Sequence, residues 1–467
     1  MRFKAILILF FVSLAGFCQQ PVVKFNEENI HNVYQIMHPE KDRALLFITD
    51  SIETKAYIFS KNFELGQKLV CNKPNYKFKD VIGHSINGNI YTLFWATRKY
   101  KKIYFQTFNF DTKSIASFLY ELDLKNETYV SSFSTNGYFY FLTKIKDSKQ
   151  LKFYIFNEEN KVTTRLVDLK DYTFESSKFM LVESNSPYSL VTGSSQWKIY
   201  PKGENVFFTF DNDVSFTSVL KVDLNNFETK PYVFKRSFGG NTKPFPSSNS
   251  ILADDKIIQL ETTDQMLSIA VKNFNDGSLV KEYRVNADEN IKFKNSDIIR
   301  MNSISSSERV LERTSQFLSK INDLNVGLVC VPTDSYLKLT IGGVSEIRSS
   351  GVGVGVGFGA PMMVSSVSMS GGIPSISTSF QPTFSYFNYY NGDTGAYTNR
   401  RVVYINALFD KDFNHVAGEI PKSKYDQINE FIDGHADFSD FIIIPFGEQM
   451  ALGYYNNASK QYELLKY

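Results

Sequence analysis

Histidine, cysteine and tryptophan are all scarce in this chain, with 5, 3 and 2 copies among 467 residues. The histidines are His31, His38, His84, His415 and His435, and no two have the i, i+4 spacing that a zinc-binding HExxH helix requires. No serine lies in a Gly-x-Ser-x-Gly elbow, so a hydrolase triad lacks its sequence sign. Charge of one sign is lacking too. The formal balance is +2, spread along the chain, whereas a nucleic-acid binder concentrates its basic residues. The densest cluster is Arg98, Lys99, Lys101 and Lys102; it interleaves with Tyr100 and reads as a solvated hairpin tip. Beyond the N-terminal segment no apolar run is long enough to span a bilayer.

Aromatic residues are abundant instead, with 42 Phe and 27 Tyr. A chain this apolar is not disordered, and aromatic enrichment favours strands. The first 18 residues read as a secretory signal peptide: Arg2 and Lys4, the apolar run Ala5 to Leu14, then a polar break. Gly16 and Cys18 fit the small positions before a cleavage site, which makes Gln19 the mature N-terminus. The competing lipoprotein reading acylates Cys18 but places the bulky Phe17 before it. The expectation is an exported protein, whether periplasmic, outer-membrane-associated or extracellular. Cys71 and Cys330 are then the mature cysteines. They either pair across a long loop or remain buried thiols, and the apolar runs around them favour thiols.

One pattern recurs along residues 19–467. An aromatic-rich strand enters a turn of Asn, Asp, Ser and Lys, and a second alternating strand leaves it. The turns begin at 60, 111, 157, 223, 275, 410 and 456, so four of the six spacings lie near 50. Further strands precede most hairpins, as at Ala44 to Thr49, Asn89 to Trp95, Tyr138 to Thr143, Asn205 to Phe210 and Lys256 to Glu261. Asn-Gly turns precede two of them. A four-stranded unit of this length resembles the blade of a β-propeller. The resemblance is architectural, since the Trp-Asp and Gly-Gly signatures of named propeller repeats are missing. It implies an all-β fold of about seven blades in a single domain. The last unit, from Phe441 to Tyr467, lacks one strand, and Pro21 to Phe25 would supply it. Two stacked β-sandwiches are the alternative architecture.

Two helices are expected to interrupt the strands. One starts at a Ser305/Glu308 capping box and places Val310, Leu311, Phe317, Leu318 and Ile321 on one face. The other covers Lys422 to Gly434. Between 351 and 380 the sequence carries no charge and reads as a Gly/Val/Ser-rich loop. Its apolar side chains Val352, Val354, Val356, Phe358, Met362 and Met363 form a candidate contact surface. No phosphate-binding glycine motif is complete within it.

No cofactor is called for, and no residue stands out as catalytic. Asp410, Asp412 and Asn414 open like a calcium loop, but His415 and Pro421 occupy the positions that need Gly and Glu. The same residues fall at a repeat turn, where Asp and Asn are expected for backbone reasons. The reading is a non-catalytic exported binding or scaffold protein of the cell envelope, with an envelope protein or glycan as partner. A glycan-directed propeller hydrolase or lyase is the alternative, and a self-associating surface adhesin is a further one.

Overall fold

The computed structural model describes residues 21–467 except 39, 41, 76, 158–160, 170, 175–178, 184–188, 239–245, 303–304, 334, 346–362, 371–372, 381–399 and 447–448. The chain is an all-β propeller. Seven sheets of four or five strands follow one another, at 32–72, 78–121, 127–168, 180–235, 247–286, 298–409 and 438–466, the last with 23–26 added. Two compact units are present. One comprises Met1–Lys73 and Ile428–Tyr467, the other Pro74–Gln427.

Strand order within a sheet follows from burial. The second strands Arg43–Thr49, Ile90–Thr97, Tyr138–Ile145 and Lys256–Thr262 are almost wholly buried along their length. A strand covered on both faces need not alternate apolar with polar side chains, and residues 45–48, 93–96 and 138–142 read as apolar runs, whereas Lys256–Thr262 buries Gln259 and Glu261 as well. The fourth strands, such as Ser114–Glu121 and Val162–Asp168, are sheet edges, are mostly exposed and carry the charged residues. Phe94, Phe105, Phe139 and Phe156 interlock between two successive sheets of the larger unit, with Phe94 and Phe139 stacked at 4.6 Å. In the smaller unit, Leu46, Ile48, Phe59, Ile442, Ile444 and Leu464 form the core.

The hairpin turn also repeats. Asn109, Asp223, Asp410 and Asn456 each turn a side-chain oxygen onto the backbone N–H groups that follow. A residue with positive φ then completes the turn: Phe63, Lys113, Phe227, Gly277, Phe413 and Lys460. At three of these the sequence repeats a short signature, Asn62-Phe63-Glu64, Asn226-Phe227-Glu228 and Asp412-Phe413-Asn414. The phenyl ring there tucks beneath its hairpin, as where Phe63 meets Phe446 at 4.9 Å and Phe227 meets Phe153 at 5.3 Å.

The final sheet takes its fourth strand from the N-terminal end. Val23–Asn26 pairs antiparallel with Gln461–Lys466, with Val23 opposite Leu464. Three expectations change. Residues 305–308 do not open a helix: Ser305–Leu311 is a strand paired with Ile298–Asn302, because the cross-strand ladder outcompetes a local cap. The helix begins at Thr314 and runs to Asn322, and the Gln316 Oε1 atom accepts the Arg313 N–H at its start. Phe317, Leu318 and Ile321 do face the core, whereas Val310 is exposed. Second, Val402–Phe409 forms no hairpin with 415–420. Both its edges are taken, by Leu337–Val344 and Ile298–Asn302, leaving only the bridge between Phe409 and His415. Third, part of the uncharged segment is a hairpin, Met363–Ser370 with Ile373–Phe380. The second expected helix is present as Lys424–Asp433.

Backbones approach most closely where the short helix Leu190–Gly193 meets the strand Asn325–Pro332. A β-carbon on Gly327 would lie 2.6 Å from the Ser194 nitrogen, an atom that cannot rotate away. Gly327→Ala is therefore expected to lower stability by about 2 kcal/mol or more, read as a drop in the urea unfolding midpoint. An unchanged midpoint would show that this contact is looser than the geometry indicates.

Candidate active-site depression around His415

In the larger unit, Lys292, Lys294, Asn295, Ser296, Asp297, His415, Ala417 and Gly418 line an open depression of about 460 Å³. The loop before Ile298–Asn302 builds one wall. Its backbone is pinned to the neighbouring strand: the Asn295 N–H donates to the Asn406 carbonyl, and Ser296 Oγ accepts the Asn406 N–H at 2.9 Å. The other wall follows the turn at Asp410. Tyr283 holds it there, its hydroxyl donating to the Phe413 carbonyl at 2.6 Å and accepting the His415 N–H at 3.0 Å.

Asn295 organises the depression. Its Nδ2 donates to the Val416 and Gly418 carbonyls at 2.8 and 2.9 Å. Its Oδ1 accepts the Leu408 N–H at 2.7 Å and lies 3.1 Å from His415 Nε2. The amide cannot be flipped, because its nitrogen would then face an N–H and its oxygen two carbonyls. Oδ1 can only accept, so His415 Nε2 carries the proton. In the neutral imidazole Nδ1 is then a lone pair, and it has no hydrogen-bond partner among the described residues. Burial lowers the His415 pKa from its ordinary value, which favours that neutral form.

Neither lysine of the depression makes an ion pair among the described residues; Lys294 Nζ donates only to the Ser296 carbonyl, at 3.1 Å. Asp297 is the single carboxylate of the lining. The site thus joins two ammonium groups to one oriented proton acceptor.

Several other polar groups are tied into buried networks. Lys198, Asp211 and Arg236 are buried together. Asp211 receives Lys198 Nζ at 3.2 Å, Arg236 Nη2 at 2.9 Å, Thr217 Oγ1 at 2.8 Å and Ser250 Oγ at 2.9 Å. Burial alone would push the Asp211 carboxyl up, but Lys198 and Arg236 overcome it and hold it low. In the smaller unit Glu27 is buried against Tyr57, Lys55 and Lys68. Glu127 repeats the arrangement, with Thr143 at 2.6 Å, Lys152 at 2.8 Å and Tyr154 at 2.9 Å. Ligand atoms of His38, Glu40 and Asp42 lie within 4.8 Å of one another, but Arg43 already engages both oxygens of Asp42.

The residues singled out by sequence fall as follows. Asp410 spends Oδ1 on the N–H groups of Asp412 and Asn414 and Oδ2 on the Asn414 side chain. Lys281 Nζ takes the remaining Asn414 oxygen at 2.7 Å. These are turn contacts, and the turn's role is to carry His415 into the depression. Cys71 and Cys330 are free thiols, so the disulfide is not formed; burial pushes each thiol up to about 12. Val352, Val354, Val356, Phe358 and Met362 lie outside the described residues, and Met363 opens a strand. Asn295 and the two lysines were not anticipated. Asn295 sits in a run without periodicity, Ile291 to Asp297, and its partners come from more than 100 residues away.

No family model matches the chain, and no curated protein does. Among solved structures it is similar to a cobalt-substituted apocarotenoid oxygenase from Synechocystis, at 9% identity and a TM-score of 0.30, covering 56% of this chain and 62% of that one. It is also similar to the β-propeller domain of the Trilobed protease from Pyrococcus furiosus, at 9% identity and a TM-score of 0.30, covering 68% and 78%. The chain thus spans less than two thirds of the oxygenase's length. The expectation of a non-catalytic binding or scaffold module is withdrawn, and the likeness itself bears on the fold alone. No residue role or substrate passes from those proteins to this chain.

Two half-buried titratable groups of the larger unit act in opposite senses. Burial pulls the His84 imidazole down to about 4 and pushes the Glu183 carboxyl up to about 7. Between pH 4 and 6.5 unfolded His84 takes a proton that the folded chain refuses, so its contribution to stability is lost as pH falls. Between pH 4.5 and 7 folded Glu183 keeps a proton that the unfolded chain releases, so its contribution is lost as pH rises. Relative to the parent protein, Glu183→Gln should gain about 3 kcal/mol across pH 4.5 to 7. His84→Asn should lose about 3 kcal/mol across pH 4 to 6.5. Parallel stability curves for the two variants in urea titrations would contradict both assignments.

Proposed function

We propose that the depression at 292–297 and 415–418 is the functional site of this chain, and that it holds a small polar ligand with His415 as proton acceptor. The observation that carries this reading is the Asn295 side chain. Its four hydrogen bonds fix one imidazole tautomer and leave Nδ1 open. A base positioned by a neutral amide and kept unprotonated by burial is equipped to accept a hydrogen bond or a proton from a bound hydroxyl. Nitrogen-detected NMR of the imidazole tests this. The Nε2–H tautomer should dominate at pH 7.5, His415 should titrate below 6.5, and Asn295→Ala should release the tautomer. An Nδ1–H tautomer in the parent protein would refute the assignment.

The chain is further read as exported, its first 18 residues acting as a signal peptide. The order of the basic start, apolar run and polar break supports this. No helix among the described residues is long and apolar enough to cross a membrane. N-terminal sequencing of the mature protein should begin at Gln19; retention of Met1 would exclude processing.

A further inference from the structure

We infer that the ligand of the His415 depression is a small anion that also carries a hydroxyl group, of the hydroxycarboxylate or hydrogen-phosphate class. This rests on the reading of the depression as the functional site and adds its specificity. The charge of the lining carries the inference. Lys292 and Lys294 contribute two ammonium groups, Asp297 contributes one carboxylate, and none of the three is in an ion pair among the described residues. Nearby Lys281 is excluded, since its ammonium is bound to Asn414. The Lys294 ammonium is anchored by the Ser296 carbonyl, which directs it without neutralising it. Such a site favours an anion over a neutral or cationic molecule.

The second part of the specificity comes from His415. A neutral imidazole whose Nε2–H is already given to Asn295 offers a bare anion no donor. Its Nδ1 requires a proton from the ligand. Acetate would satisfy the lysines and leave Nδ1 unused. Glycolate or hydrogen phosphate would satisfy both, whereas glycerol would offer a hydroxyl and no charge. Asn295, with all four of its hydrogen-bonding positions taken, has nothing left for the ligand and serves as a positioning residue.

The test is calorimetric titration of the full chain with glycolate, inorganic phosphate, acetate and glycerol, with the His415 ring followed by NMR in parallel. Glycolate and phosphate should bind best, acetate roughly tenfold more weakly, and glycerol not measurably. Lys292→Met and Lys294→Met should each weaken glycolate roughly tenfold without changing thermal unfolding. Raising the salt concentration should weaken binding as well. Glycerol binding as well as glycolate, or lysine variants binding glycolate unchanged, would overturn the anion class. A response of His415 to glycerol alone would overturn it too, yet leave His415 standing as the acceptor. If the anions bind without disturbing His415, the acceptor role fails and the hydroxyl requirement fails with it. If no probe binds at up to about 10 mM in dilute buffer, the inference is rejected.

Discussion

A strand buried on both faces has nowhere to send a polar side chain, and most of this structure follows from that constraint. Several sheets carry one such strand, as at Arg43–Thr49 and Ile90–Thr97, and the neighbouring sheets cover it. Phe94 therefore packs onto Phe139 of the next sheet, and Phe105 and Phe156 close around them. Some of the polar groups that do enter are matched across strands. Trp95 Nε1 meets Gln106 Oε1 at 2.9 Å, and both residues are fully buried. Outer strands are released from the constraint and mix exposed polar residues with exposed apolar ones such as Phe118, Leu119 and Leu166.

Buried charge is handled by local neutralisation rather than by exclusion. Glu27 and Glu127 each face a lysine and a tyrosine two residues apart on one strand, Lys55 with Tyr57 and Lys152 with Tyr154. Asp211 satisfies two cations and two hydroxyls at once. Removing one partner from such a cluster strands the others in a low-dielectric interior, so these groups act structurally. Around His415 the arrangement is different. Asn295 is saturated, whereas the lysines make no ion pair among the described residues and the imidazole Nδ1 has no hydrogen-bond partner there.

Much of the fold was legible because its signals are local. Hairpin turns announce themselves through Asn and Asp, and buried strands through unbroken apolar runs. The Asn-Phe-Glu turn signature is equally local, at 62–64 and 226–228. The errors came where a long-range pairing outweighed a local preference. Ser305 to Glu308 has the form of a helix cap, but residues 305–311 had a strand waiting at 298–302. Residues 402–409 have the form of a hairpin arm, but two distant strands claimed both edges.

The sequence by itself determined that this is a repeated β-hairpin protein, that Asp410 begins a turn, and that the N-terminal segment adds the missing strand to the last sheet. These depend on side-chain alternation and turn chemistry, which act over a few residues. Only the tertiary structure decided the site. It brought residues 292–297 against 415–418, gave Asn295 its carbonyl and amide partners, and thereby chose which nitrogen of His415 carries the proton. Hydrogen-bond complementarity between segments more than 100 residues apart leaves no periodic trace in a sequence.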